Sequence, residues 1–191
     1  MATAFQSPLD FPRHKLWTRS ECALLQGVMD LQRYELIEGE LLEKVSKSHP
    51  HMLVAQALLN WLLGVFDGAL VAAEPSIDVR PEDNPTSEPE PDVVVLNRSL
   101  RELAPRPRPA DISLAVEISD ATLEFDLGRK RDLYARAGIA DYWVIDVCDR
   151  RVVVHRGPAA GRYQSIQAYG EDEQIAPLVK SASRIFVRDL F

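Results

Sequence analysis

The sequence has few cysteines and no long uninterrupted apolar run, and each scarcity excludes a class of protein. Its 191 residues include only two cysteines, Cys22 and Cys148, which lie far apart and belong to no CxxC pair. This spacing indicates neither a disulfide framework nor a structural zinc site. The longest apolar stretch, residues 52–65, is interrupted by Gln56 and Asn60, so it does not predict a membrane span. With no cleavable leader at the N-terminus, we expect a soluble, unprocessed, cytoplasmic chain.

The sequence also has fewer basic than acidic residues. The chain has 22 lysines and arginines against 29 aspartates and glutamates, a formal net charge of -7. This balance argues against broad, sequence-independent adhesion to nucleic acid or to an anionic membrane, although a local basic site remains compatible with it. Hydrophobic residues make up 46% of the chain, enough for one globular domain with a sizeable core. We predict a flexible arm over residues 1–15 and a single domain over residues 16–191.

Turn and periodicity signals divide the domain into helices and strands. Thr18 and Glu21 have the spacing of a capping box ahead of a short helix, and a long helix follows over about residues 49–67. Two apolar runs around Gly39 predict a hairpin over residues 34–45. The other predicted elements are strands over 70–79, 93–96, 113–118 and 142–147, a helix over 124–137, and a final hairpin of strands 151–155 and 163–168. This order is typical of an α/β sandwich with a mixed sheet flanked by helices.

One lysine, Lys130, lies at the centre of the stripe of helix 124–137 that should face the interior. Four residues flank it on a helical wheel: Leu127, Leu133, Tyr134 and Ala137. The apolar strand just before this helix contains a carboxylate, Glu117. An interior lysine near an interior carboxylate is costly unless the two are paired or do chemistry. Alternatively, Lys130 pairs with Asp126 one turn earlier or extends its amine to solvent.

A second carboxylate, Asp92, follows a proline at the entrance of strand 93–96, a position that is also common for an ordinary turn aspartate. If this strand pairs with strand 113–118, Asp92 and Glu117 converge and repel each other unless a divalent cation lies between them. Oxygen-rich sites of this kind suit Mg²⁺ or Mn²⁺. Lys130 would then orient or deprotonate an attacking water, or neutralise a phosphate oxygen.

At these positions the chain resembles the Uma2 family, a restriction-endonuclease-like branch of the PD-(D/E)xK nuclease superfamily. The resemblance covers roughly residues 34–154 and rests on the order and spacing of several segments together. They are YELIEGEL at 34–41, His51 at the start of the long helix, EPEPD at 88–92, VEISD at 116–120, DLGRK at 126–130, YARAGI at 134–139 and YWVID at 142–146. The resemblance implies a restriction-endonuclease-like α/β sandwich with a central mixed sheet.

The resemblance also assigns roles. It implies that Asp92 and Glu117 are catalytic metal ligands for Mg²⁺ or Mn²⁺. The lysine that the superfamily places two residues after the acidic strand residue is replaced here by Ser119. Lys130 on the following helix matches the family's lysine and is the third catalytic candidate. Glu38 is the fourth, although a hairpin charge in solvent is the commoner fate of such a residue.

We therefore expect a metal-dependent endonuclease acting on nucleic acid, with DNA favoured by the resemblance. His51 is a candidate for contacting substrate or, more simply, a helix-start residue. Because cutting both strands usually needs two active sites, we expect a homodimer. The alternative is a nuclease-fold binding or regulatory module without turnover, which the missing strand lysine and the net acidity favour. Four arginines between residues 98 and 108 belong either to a solvated loop or to a phosphate-contacting flap.

Overall fold

The computed structural model describes residues 14–191 apart from residues 26, 27, 29, 45 and 104. The predicted arm therefore lies almost entirely outside the described residues. The helices are α1 (Arg19–Leu25), α2 (His49–Val65), α3 (Leu123–Phe125) and α4 (Arg131–Ala137), with a π-helical turn (Asp126–Lys130) joining α3 to α4. The strands are β1 (Tyr34–Ile37), β2 (Glu40–Glu43), β3 (Val71–Ala73), β4 (Val93–Leu96), β5 (Ile112–Ser119), β6 (Asp141–Asp146), β7 (Arg151–Ala159), β8 (Arg162–Tyr169), β9 (Gln174–Ile175) and β10 (Ile185–Phe186). None of the described helices is long and apolar enough to cross a membrane.

A six-stranded mixed sheet in the order β3-β4-β5-β6-β7-β8 forms the centre of the protein. β5 and β6 run parallel, whereas the other neighbouring strands are antiparallel. A parallel pair needs a crossover from one end of the sheet to the other, and the helical segment from α3 to α4 supplies it. β1 and β2 form a separate hairpin, and β9 pairs with β10 near the C-terminus.

Helices and the C-terminal segment cover both faces of this sheet. On one face, α2 packs against alternate residues of the central strands, together with Val187 and Leu190 from the C-terminus. On the other face, α4 packs through Tyr134 and Ala135 against residues that include Ala115 and Val144. The alternation expected for β5 therefore holds, since every second residue faces α2 and the residues between face α4. The predicted α/β sandwich with a mixed central sheet is confirmed.

Local signals explain where several elements begin and turn. The capping box of α1 forms as predicted. Oγ1 of Thr18 accepts the N–H of Glu21 at 3.2 Å, and a carboxylate oxygen of Glu21 accepts the N–H of Thr18 at 2.9 Å. The β1–β2 turn is made by Glu38 and Gly39, with φ of 50° and 86°. Positive φ at both positions is what a two-residue hairpin turn requires.

Two predicted boundaries are wrong. The strand expected over residues 70–79 is reduced to β3, because Ile77 and Asp78 donate their N–H groups to the carbonyls of Pro89 and Pro107 instead of to a neighbouring strand. The final hairpin turns later than predicted. β7 continues to Ala159, and its turn falls at the next two residues, which both have positive φ.

Candidate active site

A pocket of about 320 Å³ opens where the β1–β2 hairpin, the start of α2, the ends of β4 and β5 and the π-helical turn meet. The structure brings four of the five predicted site residues into its lining. The ionisable and histidine side chains that line it are Glu35, Glu43, Lys44, Lys47, His51, Glu74, Glu90, Asp92, Glu117, Asp120, Asp126 and Lys130. Because eight of these are carboxylates and three are lysines, the pocket has an excess of negative charge that favours cations.

Asp92 and Glu117 lie side by side because of the register between β4 and β5. The two strands are antiparallel, with Val93 opposite Val116. Asp92, which precedes Val93, and Glu117, which follows Val116, are therefore neighbours. A backbone hydrogen bond also holds the Asp92 side chain in place, since the N–H of Ile118 donates to its Oδ2 at 2.8 Å. The strand pairing proposed from the sequence is thus present, and it places two carboxylates at one end of the sheet.

The surroundings of Asp92 hold it in the ionised form. Its Oδ1 lies 2.8 Å from Nζ of Lys47 and 3.3 Å from Nε2 of His51. Burial would raise the pKa of Asp92, but the hydrogen bonds from His51, Lys47 and the backbone of Ile118 outweigh it and lower the pKa to about 2. Asp92 is therefore a carboxylate throughout the neutral range.

Glu117 is more deeply buried and is tied to Lys130. Nζ of Lys130 lies 3.1 Å from Oε1 of Glu117, 3.0 Å from Oε1 of Glu35 and 3.9 Å from Oδ1 of Asp126. The hydroxyl of Tyr134 donates to the same oxygen of Glu117 at 2.8 Å. The pairing with Asp126 that the sequence offered as an alternative is thus one part of a larger network.

Burial and the neighbouring charges together set the pKa values of Glu117 and Lys130. Burial raises the pKa of Glu117 well above its ordinary value, and Lys130 offsets this only in part because Asp126, Asp92 and Glu35 add to the rise. Burial lowers the pKa of Lys130, but the three carboxylates around it outweigh burial and raise the pKa above its ordinary value. Lys130 is therefore an ammonium at neutral pH, a hydrogen-bond donor rather than a base.

The π-helical turn brings Asp126 and Lys130 to the pocket together, with exposures of 3% and 5%. Such turns occur frequently at functional sites. Asp126 is fixed by Ser119 and Thr122, whose hydroxyls lie 2.8 Å and 2.6 Å from its Oδ2. Ser119 thus holds Asp126, whose Oδ1 lies 3.9 Å from Nζ of Lys130.

Sequence reasoning missed Glu35 as a pocket residue and chose Glu38 in its place. Glu38 forms the hairpin turn, where its carboxylate accepts hydrogen bonds from Arg129 at 3.2 Å and Arg136 at 2.7 Å, and it does not line the pocket. The expectation that Glu38 approaches the metal pocket is therefore wrong. Alternation along β1 could have revealed the correct residue, because Glu35 shares a strand face with the fully buried Ile37.

The chemistry of the donor set fits a hard divalent cation. Within the described part of the chain, no group of three or more histidine, cysteine, aspartate or glutamate side chains is arranged to hold a metal ion. Mg²⁺, however, is commonly bound by one or two carboxylates and keeps several waters. Asp92 and Glu117 supply two adjacent carboxylates, and no described side chain or N–H group donates a hydrogen bond to Oε2 of Glu117. These residues therefore suit Mg²⁺ or Mn²⁺.

The chain is similar to a known protein family and to a solved structure. The model of the Uma2 family, described as "Putative restriction endonuclease", matches residues 22–183. A solved structure described as "a putative nuclease belonging to DUF820 from Anabaena variabilis ATCC 29413" is similar, with a TM-score of 0.66 and 17% sequence identity. The likeness covers 83% of this chain and 89% of that one, and it shows a shared fold. A comparison with curated proteins gives no match.

Proposed function

The chain belongs to the Uma2 family, and from this membership we propose that it is a divalent-metal-dependent nuclease whose metal ligands are Asp92 and Glu117. The observation that carries the proposal is the meeting of three side chains from separate elements. Asp92 and Glu117 are strand neighbours, and the ammonium of Lys130 lies 3.1 Å from Glu117. Two adjacent carboxylates with a lysine donor are the parts that metal-assisted phosphodiester hydrolysis needs.

A Mg²⁺ or Mn²⁺ ion at these carboxylates would supply Lewis acid activation of a phosphate oxygen and of a water. The ammonium of Lys130 donates hydrogen bonds, either to the attacking water or to a phosphoryl oxygen that gains negative charge. Its raised pKa argues against the alternative in which it removes a proton from the water. Glu35 and Tyr134 position Lys130 and Glu117 through direct hydrogen bonds.

For His51 we infer a positioning role in this site, and the contact with substrate expected from the sequence stays a prediction. It is buried, and its Nε2 lies 3.3 Å from Asp92. Its Nδ1 is buried without a hydrogen-bond partner in the described residues. The distance to Asp92 supports His51 as a positioning residue for that carboxylate, and Ser48 caps α2 by accepting the backbone N–H of His51 at 3.3 Å.

Nucleic acid is the proposed substrate, with DNA favoured over RNA by family membership. A homodimer remains part of the proposal, because cleavage of both strands of a duplex needs two such sites. Arg98 and Arg106 have structural partners, Asp111 at 2.5 Å and Glu88 at 2.5 Å, which favours a solvated loop over a phosphate-contacting flap. Substrate contacts are therefore expected at the pocket mouth, where Lys47 lies.

A second candidate function is a nuclease-fold module that binds nucleic acid without cleaving it. Two observations favour it: Ser119 stands in the usual lysine position, and the described residues offer no third carboxylate or histidine in a metal-binding arrangement. Such a module would bind an oligonucleotide with no requirement for a divalent cation. The two functions therefore differ in a measurable way.

The test is cleavage of supercoiled plasmid, linear duplex and single-stranded RNA with Mg²⁺, with Mn²⁺ or with EDTA. We expect metal-dependent cleavage by the wild-type protein and a loss of at least about 100-fold in Asp92→Asn and Glu117→Gln. Glu38→Gln is the matched control, because it alters a carboxylate outside the pocket. Cleavage that persists in EDTA or is unchanged in Glu117→Gln would overturn the proposal. Metal-independent binding without cleavage would establish the second candidate.

A further inference from the structure

The segment between β2 and α2 places a lysine directly on one of the proposed metal ligands. Nζ of Lys47 lies 2.8 Å from Oδ1 of Asp92 and 2.7 Å from Oε1 of Glu74. The ammonium thus bridges one carboxylate inside the pocket and one at its mouth. The side chain of Lys47 is 36% exposed, whereas that of Asp92 is 14% exposed.

The two oxygens of Asp92 are not equivalent. Oδ2 accepts the backbone N–H of Ile118, a bond fixed by the sheet, whereas the polar partners of Oδ1 among the described residues are the side chains of Lys47 and His51. A cation that binds Asp92 from the pocket would therefore use Oδ1. That is the oxygen the ammonium of Lys47 already occupies, so the two cations compete for one position.

Lys47 and Lys130 differ in how firmly they are held. Lys130 is buried among three carboxylates and emerges from a helix packed on the sheet. Lys47 emerges from a connecting segment at the mouth, and its four-carbon stem lets the ammonium move without a change in the backbone. Repulsion from a divalent cation would therefore move Lys47 and leave Lys130 in place.

We propose that Lys47 is an internal cation that occupies Oδ1 of Asp92 until a divalent metal displaces it, and that the released ammonium then contacts a phosphate of the substrate. This inference rests on the proposed function, because it takes Asp92 as a metal ligand. The exchange makes substrate binding depend on metal binding. Without metal, the lysine pairs with both Asp92 and Glu74. With metal, the same charge is free to bind a phosphate oxygen at the pocket mouth.

Isothermal titration calorimetry of Mn²⁺ into metal-free protein tests the exchange, with wild type, Lys47→Met and Lys44→Met compared. Lys44 is the matched control, because it comes from the same segment, is also 36% exposed and pairs with a different carboxylate, Glu90, at 2.5 Å. Removing the competitor should tighten Mn²⁺ binding by about tenfold in Lys47→Met, while Lys44→Met stays within about threefold of wild type. Equal or weaker binding by Lys47→Met would overturn the proposal.

The second readout is fluorescence anisotropy of a labelled DNA duplex in Ca²⁺, which reports binding rather than turnover. The proposal requires Lys47→Met to bind the duplex at least about fivefold more weakly than wild type, despite its tighter metal binding. Unchanged duplex binding would overturn it. If neither wild type nor Lys47→Met binds Mn²⁺ at all, the proposed metal-dependent function itself fails. If wild type binds Mn²⁺ and Lys47→Met binds it equally well, only the exchange fails.

Discussion

Nζ of Lys130 lies 3.1 Å from Oε1 of Glu117, and both residues are buried, at 5% and 3% exposure. The pair joins a helix to a strand across one end of the sheet. A buried ion pair contributes little net stability compared with an apolar pair of the same shape, because both charges lose their hydration. The pair therefore fits the proposed chemistry at the pocket better than a role in stabilising the fold. Removing one partner, however, leaves the other charge uncompensated.

This arrangement predicts a large stability cost for Lys130→Ala. The substitution leaves Glu117, Glu35 and Asp126 close together without their shared cation. We expect the free energy of unfolding at pH 7 to fall by about 3–5 kcal/mol, measured by urea denaturation. Lys44→Ala, which breaks a more exposed pair, should cost less than about 1 kcal/mol. Similar losses in the two variants would contradict the assignment of Lys130 as the central cation.

A second prediction tests the proposal that Lys130 takes the part of a lysine at the position of Ser119. Ser119 lies two residues after Glu117 on the same face of β5 and within reach of Asp126, the partner of Lys130. Lys130→Ala combined with Ser119→Lys should regain cleavage by at least about tenfold over Lys130→Ala alone, because the ammonium returns to the same pocket from the strand. Lys130→Ala with Ser119→Met controls for volume. A double variant that folds as well as wild type yet stays inactive would argue against the displacement.

Two of the hairpin glutamates, Glu35 and Glu38, should behave differently. Glu35 contacts Lys130 at 3.0 Å and also accepts the N–H of Glu90, whereas Glu38 pairs with arginines at the turn. Glu35→Gln should lower kcat at least about tenfold, and Glu38→Gln should change it less than about twofold. Steady-state cleavage kinetics measure both. The reverse order would restore Glu38 as the site residue and remove Glu35.

Stability should fall in acid because of a histidine outside the site. Burial lowers the pKa of His155 from its ordinary 6.5 to about 4, and a hydrogen bond to the carbonyl of Tyr142 offsets this only in part. As the pH falls, the unfolded chain takes up a proton on this histidine before the folded chain does. The contribution of His155 to the free energy of unfolding is therefore fully present above pH 6.5 and is lost as the pH falls towards 4. The full loss is about 3 kcal/mol.

His155→Phe keeps an aromatic ring beside Tyr142 and Tyr163 and removes the titrating group. Its unfolding free energy should therefore change about 3 kcal/mol less than that of wild type between pH 7 and pH 4. Urea denaturation at a series of pH values measures the difference. Parallel curves for the two proteins would show that His155 does not control acid stability.

The sequence predicted the sandwich and the meeting of Asp92, Glu117 and Lys130 at one pocket, because those features depend on local patterns. Alternation in β5 placed Glu117 on the face opposite α2, and the capping box placed the start of α1. The network around Lys130 was less predictable. A wheel with 3.6 residues per turn does not anticipate the π-helical turn, and the approach of Glu35 depends on how the hairpin docks on the sheet. Docking of one element on another leaves little trace in local sequence.

The most direct test is a crystal structure of the protein soaked in Mn²⁺, with the metal located by its anomalous scattering. We predict one peak within about 2.0–2.3 Å of a carboxylate oxygen from both Asp92 and Glu117. Lys130 should remain in place next to Glu117. No peak at these carboxylates, while Mn²⁺ binds elsewhere on the same molecule, would contradict the proposal that they form the metal centre of a nuclease.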